Sequence, residues 1–162
     1  SRRDIYREAL MLRELTDKFR ASLIVNDYTD IALAVNADGV HLGQEDLPLK
    51  EARKILGKGK MIGVSTHSIE QAIAAEAGGA DYIGFGPIFH TETKDAGKPK
   101  GIAALREIKK LIKIPVVAIG GINIENLRSV IDSGADAAAV SSAIIQGNIA
   151  DNVTRLLNIL KK

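Results

Sequence analysis

Cysteine is absent from the 162 residues. The chain can therefore form neither a disulfide framework nor a thiolate metal site, and thiols say nothing of its redox compartment. Neither sign of charge is in large excess: 22 Lys and Arg stand against 20 Asp and Glu, interspersed, for a net charge of +2. That balance leaves no basic face for DNA or RNA, so nucleic acid is not an expected partner. No apolar run approaches the ~18 residues of a membrane span. The opening SRRDIYREAL carries charges where a secretory signal needs an apolar stretch, so a cytoplasmic protein with no membrane partner is expected. What the chain does have is 46% hydrophobic content, enough at this length for a single β/α domain over 1–162 with a sizeable core.

The hydrophobic pattern sets the fold class. From Asp4 to Phe19 the apolar residues Ile5, Leu10, Met11, Leu12, Leu15 and Phe19 recur mostly at helical spacing, which predicts an amphipathic first helix. Strand-length runs follow, SLIVND, GVHLG, MIGVST, YIGFGPI, PVVAIGG and AAAVSS, with helical stretches such as DIALAVNA, LKEARKIL, SIEQAIAAEAGG, IAALREIKKLI and IENLRSVIDSG between them. Continuous apolar strands alternating with helices predict an α/β fold with a parallel sheet covered by helices. An internal repeat supports this: NADGVHLG, GADYIGFG and GADAAAVSS share an Ala-Asp pair. Asp38, Asp81 and Asp136 thus end helix-to-strand turns, on the face where residues serve stability.

Polar residues gather at the other ends of the strands: Asn26 and Asp27, Gln44 and Asp46, Ser65 and His67, Thr91, Thr93 and Lys94, Gly120 and Gly121, Ser141 and Ser142. Ligands of parallel β/α proteins bind there, so one face collects all of these groups. PVVAIGGINIENL runs a strand into two glycines with Asn123 as a candidate N-cap. Glycine admits an anion close to the backbone and the helix start offers N–H groups, while SSAII after the next strand offers the same. This pair of loops predicts a phosphate site, set against a plain tight turn. Asp27 and Asp46 are the candidate magnesium ligands, because magnesium takes one or two carboxylates with substrate phosphate oxygens and water. The competing roles are a turn residue for Asp27 and a helix cap for Asp46. FHTETKDAGKPKG is a long polar stretch of the kind that forms binding loops, and Lys94 there can neutralise a departing diphosphate. His67 reads more as a packing or hydrogen-bonding residue than as an acid or base. His41, inside a strand run, reads as structural, and the role of His90 is open.

These motifs together, IVNDYTDIALAVNADGVHLGQEDLP, IGVSTHS, ADYIGFGPIFHTETK, and PVVAIGGIN followed by GADAAAVSSAI, resemble the thiamine phosphate synthase family over essentially the whole chain. The resemblance implies a TIM-type (β/α) barrel and a transferase of thiamine biosynthesis, joining a pyrimidine methyl diphosphate to a thiazole phosphate with release of diphosphate. It implies small phosphorylated substrates and Mg2+ held by Asp27 and Asp46. By the same resemblance Asn26 contacts diphosphate, Ser65 sits near the reacting pyrimidine, and Thr91 and Thr93 contact the thiazole phosphate. Lys94 binds diphosphate, and Gly121, Ser141 and Ser142 cradle the thiazole phosphate. Ser65 and Lys94 are the expected catalytic residues.

Two departures from the family pattern stand out. His90 replaces a usual proline, and the chain starts at what matches the family's second helix, without the Gln-Leu-Arg-x-Lys type motif that adds diphosphate contacts. The expectation is an N-terminally truncated barrel of about six parallel strands. It would be either a rearranged open sheet with helices on both faces or a barrel closed by a homo-oligomer, since open strand edges invite pairing. The alternative functions are a non-catalytic fragment that keeps the phosphate site and a thiazole tautomerase-like isomerase using His67.

Overall fold

Parallel strands that follow one another in sequence, each preceded by a helix, pair in chain order when every crossover has the same hand. The computed structural model, which describes residues 1–91 and 97–161, has this arrangement. Its elements are α1 (Arg2–Phe19), β1 (Ile24–Asn26), α2 (Thr29–Ala34), β2 (Gly39–Leu42), α3 (Leu49–Leu56), β3 (Met61–Thr66) and α4 (Ile69–Ala77). They continue as β4 (Tyr82–Phe85), α5 (Gly101–Leu111), β5 (Val116–Ile119), α6 (Leu127–Ile131), β6 (Ala137–Ala139), α7 (Ser142–Ile145) and α8 (Ile149–Leu160). The six strands are all parallel in the order β1-β2-β3-β4-β5-β6, curled as part of a TIM-like barrel. No described helix is long and apolar enough to cross a membrane.

The expected order of elements is therefore present, and the rearranged sheet with helices on both faces is not. Burial alternates along the strands. Val25, Val40, Leu42, Ile62, Val64, Ile83, Phe85, Val116 and Ala118 are buried on the helix side. Asn26, His41, Ser65, Tyr82, Val117 and Ile119 lie on the opposite, concave side and are half-buried or exposed. Among the described residues helices cover one face, and the other keeps polar groups that a doubly covered sheet could not solvate. Two hydrophobic clusters back the covered face: one spans Ala9 to Ile62 around α2 and α3, the other Val64 to Leu156 around α4, α5 and α6.

Helix α1 departs from expectation. Its bounds are close to those read from periodicity, yet only Ala9 is buried, while Met11 is 71% and Phe19 69% exposed. The stripe is amphipathic, but α1 packs mainly on α2, with Arg13 reaching Asp38 ahead of β2. Among the described residues no layer lies over Leu10, Leu12 and Leu15 to remove them from water.

The repeated aspartates do the same work three times. The Asp38 Oδ2 accepts from Leu23 N at 2.7 Å and Arg13 Nη1 at 2.8 Å. Asp81 Oδ2 accepts from Ile62 N at 2.7 Å and from the Arg53 guanidinium. Asp136 Oδ2 accepts from Val116 N at 2.7 Å and Lys109 Nζ at 2.6 Å. Each carboxylate satisfies the amide that opens the neighbouring strand and ties it to the basic helix ahead of that strand. The structural role expected of these residues is the one they have, at the amino ends of the strands.

Candidate active site at the carboxyl ends of the strands

Strand β1 ends in a backbone reversal. Asp27 takes a left-handed conformation, φ 66°, which aspartate tolerates better than most side chains. Its amide donates to His41 O at 2.8 Å, tying the β1 end to β2, and Tyr28 N donates to Asn26 O at 2.8 Å. After β2 the chain turns through Gly43, whose amide donates to Asp46 Oδ2 at 2.6 Å. Helix α3 starts later, with Pro48 at its N-cap and no side-chain capping bond, so Asp46 does not cap that helix. Both carboxylates line one cleft of about 370 Å3, with Arg2, Tyr28, Thr29, Asp30, Leu47 and Ile55. Arg2 forms an ion pair with Asp30 and lies 5.1 Å from the Tyr28 ring centroid. That guanidinium holds the Asp30 carboxyl below the usual carboxylate range.

The pair Asp27 and Asp46 suits a hard cation. Among the described residues no group of three or more His, Cys, Asp or Glu could hold a metal. Two carboxylates on an open cleft match the habit of magnesium, which keeps several waters and completes its shell with phosphate oxygens.

Beside this cleft the concave face carries a second cluster. The register aligns Asn26 with His41, His41 with Gly63, and Gly63 with Tyr82. A Cβ on Gly63 would meet the Tyr82 ring at 2.1 Å, so only glycine lets the phenol lie across β3 toward β2. His41 Nδ1 is 3.1 Å from the Tyr82 hydroxyl and His41 Nε2 is 2.9 Å from Ser65 Oγ. Gln44 Nε2 donates to the Ser65 carbonyl at 2.6 Å. Burial pushes the Tyr82 phenol above its ordinary value. His41, read from sequence as structural, therefore touches a candidate catalytic residue. The signal was its phase: it alternates with Val40 and Leu42, both buried on the other face. His67 behaves as a hydrogen-bonding residue, with Nδ1 2.8 Å from Gly86 O.

At the far side, Ile119 is in register with Ala139, which sets the Gly120–Gly121 turn beside Ser141 and Ser142. Gly121 has φ 64°, and a Cβ there would meet His90 O at 2.3 Å. Its glycine is needed first to seat the loop after β4 against the loop after β5, a reason not read from sequence. Asn126, and not Asn123 as expected, is the N-cap of α6; Asn123 instead closes the turn ahead of it, its Oδ1 accepting from Glu125 N at 2.8 Å, while Asn123 N donates to Asn126 Oδ1 at 2.8 Å. Those two amides are satisfied internally, so fewer N–H groups face an anion here than the motif suggests. The start of α7 has no side-chain capping bond. Thr91 is half-buried where the long loop begins, and Thr93 and Lys94 lie outside the described residues.

The comparisons decide the family. The profile described as thiamine monophosphate synthase matches residues 1–144. The chain belongs to the thiamine monophosphate synthase family. The thiamine-phosphate synthase of Clostridium acetobutylicum is 49% identical over 160 residues, covering 98% of this chain and 76% of that protein. That of Clostridium novyi is 50% identical over 158 residues, covering 97% and 78%. The solved thiamine phosphate pyrophosphorylase of Pyrococcus furiosus superposes with a TM-score of 0.92 at 41% identity, covering 99% of this chain and 78% of that one. Membership in the thiamine monophosphate synthase family makes the main function that of a transferase in thiamine biosynthesis.

Proposed function

We propose that the chain couples 4-amino-2-methyl-5-hydroxymethylpyrimidine diphosphate to thiazole phosphate and releases diphosphate. The observation that carries this reading is the meeting of Asp27 and Asp46 on one cleft at adjacent strand ends. There they would hold Mg2+, which when bound supplies positive charge to the diphosphate oxygens. Asn26, exposed at the end of β1, donates to the same diphosphate, and the Lys94 ammonium neutralises it. The bond between the pyrimidine methylene carbon and the diphosphate oxygen breaks with both electrons leaving on oxygen. The thiazole nitrogen then places its lone pair on the methylene carbon, and Ser65 holds the pyrimidine in line. Thr91, Thr93, the Gly121 turn, Ser141 and Ser142 bind the thiazole phosphate. Such chemistry asks for charge neutralisation and positioning rather than a general base, which accords with a His67 ring engaged on a carbonyl and not on a carboxylate.

Incubation with both substrates and magnesium tests the proposal: stoichiometric diphosphate and thiamine phosphate are expected. Binding of thiazole phosphate without diphosphate release would sink it in favour of a phosphate-binding fragment. Among the described residues β1 and β6 are edge strands and one face of α1 is exposed, which supports self-association into at least a dimer; light scattering that finds a monomer at high concentration would refute that.

A further inference from the structure

We propose that His41 and Tyr82 are positioning residues that hold the Ser65 hydroxyl as a hydrogen-bond donor toward the bound heterocycle. The inference rests on the reading of Ser65 as a pyrimidine contact and adds how its proton is aimed.

The three side chains form a chain across β4, β2 and β3, with contacts of 3.1 and 2.9 Å. A phenol is a better donor than acceptor, and a half-buried one stays protonated. The Tyr82 hydroxyl therefore donates to His41 Nδ1, which is then the bare nitrogen of the ring. Which nitrogen carries the proton is decided by the bond the other makes, so the proton is on Nε2. Nε2–H then donates to Ser65 Oγ. A hydroxyl has one proton and two lone pairs. With a lone pair occupied by His41, the proton of Ser65 points away from the ring, into the concavity. The Ser65 backbone is held independently by Gln44, so the tyrosine and histidine set the rotor and not the loop.

The fold is shaped around this relay. Gly63 leaves the path of the Tyr82 ring clear, and a Cβ on Gly84 would come within 3.1 Å of the His41 ring. The opposite polarity, a serine giving its proton to the imidazole, needs a carboxylate on the far nitrogen to stabilise the imidazolium. The hydrogen-bond partner at Nδ1 is the Tyr82 phenol. The cluster is built to orient a hydroxyl, not to make a nucleophile.

The test has two independent readouts. In a His67→Gln, His90→Gln variant His41 is the sole histidine of three, and its ring nitrogens can be observed by 15N NMR. A bare Nδ1 and a protonated Nε2 are expected; a protonated Nδ1 overturns the proposal. This measurement needs no turnover, so it stands apart from the fate of the proposed reaction. The second readout is a kinetic cycle. Tyr82→Phe should lower kcat about tenfold, with KM for thiazole phosphate changed less than about twofold. In a Ser65→Ala background the same substitution should cost almost nothing, because there is no hydroxyl left to aim. An equal loss in both backgrounds would mean that Tyr82 acts only on packing, and would overturn the proposal.

Discussion

The two ends of the same sheet use aspartate in opposite ways. At the amino ends, Asp38, Asp81 and Asp136 each accept from a strand amide and a basic side chain. At the carboxyl ends, Asp46 accepts from one amide of its own loop and forms no ion pair among the described residues. It shares an open cleft with Asp27. A carboxylate whose lone pairs and charge are matched by the protein adds stability. Asp46, which has no ion pair among the described residues, lies instead on a cleft, where the proposed function gives it a ligand to meet. The contrast is that the amino-end aspartates are bound into the scaffold, while Asp27 and Asp46 line a cleft.

The comparison can be broken most sharply at Asp27. Asp27→Asn keeps a side chain tolerant of the left-handed backbone and removes the charge. It should slow diphosphate release by roughly 100-fold or more, while thiazole phosphate affinity by calorimetry stays within about twofold. Equal loss of both would erase the division of labour between the two sides of the concave face. The converse change is Asp81→Ala, which strips the partner from Ile62 N and Arg53. Denaturant unfolding should show a loss of about 1–3 kcal/mol, with turnover per folded molecule unchanged.

A weaker effect is expected with pH. Bonds from the Leu23 amide, then from Arg13, hold the Asp38 carboxyl below its ordinary range. Burial pushes Asp136 upward, but Lys109 and the Val116 amide together outweigh it. Both groups therefore have folded pKa values below the unfolded ~3.9. The unfolded chain binds more protons in that interval, so their stabilisation is complete above the unfolded value and is lost as pH falls through the folded ones. Thermal melts of wild type and Asp38→Asn should converge at acid pH. The difference near neutrality should be roughly 1 kcal/mol or less, since the Asp38 side chain is 40% exposed and screened by solvent. The smallest change should come from Met11→Lys on α1, within about 0.5 kcal/mol in stability, yet light scattering should show weaker self-association.

Much of this was legible beforehand. Strand runs such as MIGVST and the Ala-Asp repeat carry local signals, hydrophobic run length and turn chemistry, that do not depend on distant residues. The α1 stripe was legible as amphipathic but not as exposed, because a periodicity says which face seeks cover and not whether a cover is there. Asp27 and Asp46 could be named from their places after strands. That Asp46 accepts from Gly43 instead of capping α3, whose N-cap is Pro48, is set by the path of the loop and not by residue type.

By itself the sequence determined the order of elements, which carboxylates stand at which strand ends, and the family to which these motifs point. Those follow from patterns within a few residues of one another. Only the tertiary structure decided that helices cover one face of the sheet and that residues 41, 65 and 82 meet on the other. That meeting depends on parallel register, and a slip of one residue in any of the three strands would turn its side chain into the core.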